Sequence, residues 1–172
     1  MSIEDTCLIL KDKIRDIEDE QTKNLALLCE GSPGMALLIY ESGIDKYMDE
    51  LDELIKKKSE LDELLKLASN WGNTISKNSK LSLATQFIFD KLFSESALRA
   101  LKIKNNFSSD QLFYFSISKL ADMLAETFTS NELANMHMDW QKEFQFNQAN
   151  YLDMGIFMQQ TFYKLYSQMH FR

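Results

Sequence analysis

The apolar positions along this chain recur at helical spacing almost throughout. Ile3, Cys7, Leu10 and Ile14 fall on one stripe of residues 1–16, and Leu25, Leu28 and Cys29 on one side of residues 20–29. Residues 16–20, between the two, are acidic, as the first turn of a helix often is. Met35, Leu37, Leu38 and Tyr40 make a short third helix that Ser42-Gly43 ends. Residues 44–68 are the most regular stretch. Ile44, Tyr47, Met48, Leu51, Leu54 and Ile55, then Leu61, Leu64, Leu65 and Ala68, follow the template of one buried helix side. The charges between them fill the opposite, solvated face. This pattern fits one long helix, or two with a break near Lys58-Ser59. Trp71-Gly72-Asn73 closes it, and residues 73–80 read as a polar loop.

Residues 81–103 are apolar on more than one face, with Leu83, Phe87, Ile88, Leu92, Phe93, Leu98 and Leu101, which predicts a helix at the centre of the fold. Asn105-Asn106 breaks it. Two capping boxes follow, Ser108 with Gln111 and Thr129 with Glu132, and start helices that run to about residues 128 and 146. After a junction at residues 147–150, a last helix over 151–169 carries Leu152, Ile156, Phe157, Tyr163, Leu165 and Tyr166. The expected fold is all-α. Two or three small helices occupy residues 1–43, too few to hold a core alone. A bundle of five or six longer helices with short loops occupies residues 44–172.

One stretch carries a specific signature. Residues 30–38 read Glu-Gly-Ser-Pro-Gly-Met-Ala-Leu-Leu. Gly31 stands where a helix should stop in the left-handed conformation. Ser32 is placed to cap the next helix with its hydroxyl, and Pro33 fits the first turn, where a missing N–H costs nothing. The corner sets the angle between two helices, or offers a helix N-terminus to an anion.

The remaining chemistry is sparse. Net charge is −7, which argues against a sizeable nucleic-acid-binding surface, since such surfaces cluster Lys and Arg. Cys7 and Cys29 have neither metal nor C-x-x-C spacing and read as buried free thiols of a reducing compartment. Phosphate-binding glycine loops and a nucleophile elbow are missing from the sequence. His137 and His170 lack a ligand-spaced neighbour, so a metal site at His137 is the minor reading and no cofactor or small-molecule substrate is expected. No apolar run reaches the roughly 18 residues of a membrane span. The acidic start lacks a signal-peptide core, so the expected location is cytoplasmic.

Residues 24–37, Asn-Leu-Ala-Leu-Leu-Cys-Glu-Gly-Ser-Pro-Gly-Met-Ala-Leu, resemble the end of the AAA+ lid in bacterial clamp-loader subunits, above all the δ′ subunits of DNA polymerase III. There a helix ending in this motif precedes a helical collar domain. The resemblance implies that residues 1–43 are the end of a lid and 44–172 a collar, with Gly31, Ser32, Pro33, Gly34, Ala36 and Leu37 as the structural lid motif. Motor subunits carry the sensor-two arginine where this chain has Gly34, so the resemblance implies a non-catalytic subunit without nucleotide contact. It also implies a C-terminal piece, with an α/β nucleotide-fold domain and zinc-binding cysteines upstream. The implied partners are the tau/gamma and delta subunits, through the collar, with primed DNA and the sliding clamp engaged only indirectly. The alternative is a stand-alone helical adaptor that binds other proteins.

Overall fold

The computed structural model describes residues 1–104 and 115–170. They form α-helices, with no strand among them: α1 (Ile3–Lys13), α2 (Asp19–Leu28), α3 (Pro33–Ser42), α4 (Asp45–Lys57), α5 (Leu61–Ile75), α6 (Ser79–Lys104), α7 (Phe115–Thr127), α8 (Ser130–Ala149) and α9 (Met154–His170). The all-α expectation is met. The Asn105-Asn106 break and the Ser108–Gln111 capping box lie outside the described residues.

Local signals explain several of the helix ends. Ser2 caps α1 in a capping box with Asp5, and the predicted box of Thr129 and Glu132 starts α8, with Thr129 N–H donating to Glu132 Oε2 at 2.8 Å. Gly43, at φ +73°, ends α3 as predicted. Residues 44–68 resolve into two helices. The break is at Lys58, in the left-handed conformation at φ +51°, and Ser59 N–H closes the turn on Leu54 O at 3.0 Å.

The structure overturns one expected stop. The α5 helix runs through Trp71-Gly72-Asn73 to Ile75, and the expected loop at 73–80 shrinks to residues 76–78. The reason is tertiary. Trp71 is buried; its ring stacks on Tyr47 at 5.4 Å and its Nε1–H donates to Thr85 Oγ1 at 2.8 Å. Gly72 lies against the start of α9, so its lack of a side chain serves a helix crossing. The α8 helix likewise continues to Ala149, and α9 begins at Met154.

The 26-residue α6 is the central element. It packs against α3, α5, α7 and α8, while α9 lies along α5. This matches the prediction from its apolar residues on several faces. Aromatic rings fill the space between α6, α8 and α9: Phe89 stacks on Trp140 at 4.6 Å, and Trp140 on Phe144 at 4.9 Å. Such pairs each add about 0.5–1.5 kcal/mol beyond area burial. The first three helices rest on this frame through α3, whose Ala36 and Ile39 are fully buried. Polar links reinforce that contact: Glu30 pairs with Lys91 and Glu41 with Lys80, both lysines being on α6.

Candidate functional site

The α2–α3 corner holds all the predicted motif residues. The last turn of α2 closes with Glu30 N–H donating to Leu27 O at 3.0 Å and Gly31 N–H donating to Ala26 O at 2.9 Å. With Cys29 as the C-cap, this is the Schellman arrangement. The left-handed stop is therefore Glu30, at φ +50°, one residue before the expected Gly31. Gly31 follows with φ +75°, and a Cβ on it would come within 3.0 Å of the Met1 carbonyl oxygen. Conformation and space both demand glycine there. Glu30 tolerates its strained position while its carboxylate holds Lys91, whose Nζ also sits 5.6 Å from the centre of the Phe87 ring.

Ser32 takes the N-cap position of α3 with extended backbone, and its carbonyl accepts from Ala36 N–H at 3.0 Å. Its hydroxyl makes no capping bond, contrary to expectation. The side chain is exposed, and helix-start N–H groups left uncapped at a surface lie open to solvent. Pro33 occupies the first turn as predicted. Gly34 is exposed, and a Cβ there would meet nothing within 4 Å, so the first turn of α3 has room for a side chain that the sequence does not supply. Ala36 is buried against α6, and Leu37 is half-buried. Cys29 lies beneath the corner, where burial pushes its thiol up to about 12, with Lys91 opposing. It stays protonated at neutral pH and is a poor nucleophile.

His137 is held between α6 and α8. Its Nε2 lies 2.7 Å from Asp90 Oδ1, and Gln141 Nε2 donates to the same oxygen at 2.9 Å. The ring stacks on Phe93 at 5.4 Å. This is a clasp between two helices, and no group of three or more His, Cys, Asp or Glu among the described residues is placed to hold a metal ion. The side chain of His170 lies outside the described set. No helix among the described residues is long and apolar enough to cross a membrane.

Two features escaped the sequence reading. Arg99 on α6 is 2% exposed and binds Glu95 Oε1 at 2.9 Å, Asp122 Oδ1 at 2.6 Å and Ser118 O at 2.9 Å, joining α6 to α7. Glu95 and Arg99, four apart in an apolar helix, were the available signal. The second is the outer surface of α9. Met154, Phe157, Met158, Phe162 and Leu165 face inward, whereas Ile156 and Tyr163 are each 53% exposed and Leu152 is exposed as well. Tyr151, 97% exposed at φ +53°, and Leu152 also line a groove of about 640 Å³ with Leu83. What these surfaces can do chemically is pack against another protein.

No family model, curated protein or solved structure matches this chain.

Proposed function

We propose that the chain is an assembly module, the lid end and helical collar of a δ′-like clamp-loader subunit, which joins the other subunits and does no chemistry of its own. The observation that carries this reading is the α2–α3 corner. The lid-like motif forms a closed helix end with two successive left-handed residues, a Pro33-started helix and an open Gly34, and among the described residues helices α4 to α9 follow it. In the motor subunits that the motif resembles, an arginine in place of Gly34 reaches the nucleotide. The collar would hold the tau/gamma and delta subunits in a ring that opens the sliding clamp for primed DNA. The acidic balance suits this role, because the collar need not supply the main DNA-binding surface.

The test is complex formation with the collar region of a tau/gamma motor subunit, followed by size-exclusion chromatography with light scattering. A stoichiometric complex is expected, and it should weaken when Ile156 or Tyr163, on the exposed side of α9, becomes Glu. No complex at roughly tens of micromolar, with a helical spectrum intact, would overturn the reading. The exposed apolar residues of α9 also suit the second reading, a stand-alone adaptor, which that negative result would favour.

A further inference from the structure

We infer that the space where α4, α5, α6, α7 and α9 meet is a dry binding site for small apolar molecules of about the size of a xenon atom. The inference is independent of the assembly reading. The space measures about 60 Å³. Buried Leu51, Ile88, Leu92 and Ile117 line its inner wall. Half-buried Ile55, Leu64, Leu120 and Tyr166 also line it and give it a route to the surface.

Size and chemistry together select the guest. A water molecule needs roughly 10–15 Å³ of accessible volume, so water would fit. It also needs two to four polar partners. Among the lining residues only Trp71 and Tyr166 carry a polar side-chain atom. The Trp71 Nε1–H already donates to Thr85 Oγ1 at 2.8 Å, and Thr85 in turn donates to Leu81 O at 2.8 Å. Beyond these the lining offers at most the Tyr166 hydroxyl, and one group is fewer than a water requires. Apolar cavities of this kind stay empty, and their walls lack dispersion partners on one side. An apolar guest restores those contacts without displacing ordered water. The volume is well below the roughly 150 Å³ that admits benzene, so the class is confined to single large atoms and molecules of very few carbons.

The experiment is a xenon titration of the full chain with labelled methyl groups, read by NMR. Saturable shifts are expected at the methyls of Leu51, Ile88, Leu92 and Ile117, with no magnetisation transfer from water to them. Water signals at those methyls, or shifts that climb without saturating and match those of exposed Leu83 and Ile156, would overturn the inference. Leu120→Phe, which adds bulk at the half-buried wall, should abolish the saturable shifts while the helical spectrum is kept, and Ile55→Phe serves if that variant fails to fold. Full shifts in a folded filling variant would also overturn it.

Discussion

Gly72 and Met154 touch in a way that forbids any side chain at the first. A Cβ on Gly72 would lie within 3.0 Å of the Met154 carbonyl oxygen and of the Gly155 Cα. These are backbone atoms at the start of α9, so no rotamer change relieves the clash. Gly72→Ala is therefore expected to force α5 and α9 apart and to lower stability by about 1–3 kcal/mol or more, the range of overpacking. Urea unfolding followed by circular dichroism measures it. A loss below half a kcal/mol would mean that the two helices do not cross this closely.

The glycines of the α2–α3 corner should respond with opposite signs. Gly31→Ala meets both a left-handed backbone and the Met1 carbonyl, and should destabilise by about 1–3 kcal/mol. Gly34→Ala sits in open space in the first turn of α3 and should be neutral or stabilise by up to about 1 kcal/mol. Paired denaturant curves decide this, and equal effects would refute the described corner.

Arg99 is the buried charge that joins α6 to α7. Replacing it with Met leaves Glu95 and Asp122 without it, but Asp122 is 44% exposed and can rehydrate. The expected loss is accordingly about 1–3 kcal/mol, at or below the low end for breaking a buried pair. Asp122→Ala instead leaves a buried guanidinium with fewer acceptors, and should cost a comparable amount. A double-mutant cycle on the two positions should show strong coupling; additivity would argue against the contact.

The Cys29 thiol gives a pH signature. Its folded value is about 12 against an ordinary 9.0, raised chiefly by burial. Between these values the unfolded chain loses the proton and the folded chain keeps it, so stability falls as pH rises through that window, by up to about 1.4 kcal/mol per pH unit from this group. Other groups titrate there too, so the readout is the difference between wild type and Cys29→Ala, which should have the shallower alkaline slope. Alkylation of the native protein should also reach half-buried Cys7 before Cys29.

The two sides of α9 should separate cleanly. Phe157→Ala empties a core position and should cost about 3–5 kcal/mol. Ile156→Glu, one residue away on the exposed side, should change stability by about half a kcal/mol or less. Thermal unfolding of both variants checks the assignment, and comparable losses would place Ile156 in the core.

Much of this fold is legible in the pattern of apolar residues, because a helix with one buried side spells its own period. The α4 helix is the clearest case, with Tyr47, Met48 and Leu51 inside and charges outside. What the pattern misread depends on distant residues. Gly72 looks like a helix stop until α9 arrives against it. Glu30, rather than Gly31, is the left-handed stop, a shift of one residue that no propensity encodes when both take positive φ. Ile156 and Tyr163 share a helix with the core residues Phe157 and Leu165, and their outward facing follows only from where α5 lies. The position of the candidate site was legible in Gly-Ser-Pro-Gly; Ser32's unused hydroxyl and the lysine held by Glu30 were not.

The pairing of α5 with α9 also sets the order in which the chain can finish folding. Trp71 and its neighbours acquire their cover from the last of the described helices, so a chain emerging from the ribosome carries α4 and α5 with their apolar sides unsealed until α9 is free. The α6–α7 hairpin, near in sequence, can form early, but the long-range closure waits on loop entropy and on the synthesis of α9. The nascent protein therefore passes through a sticky interval whose length is set by translation, and its end is fixed by the docking of α9 on Gly72.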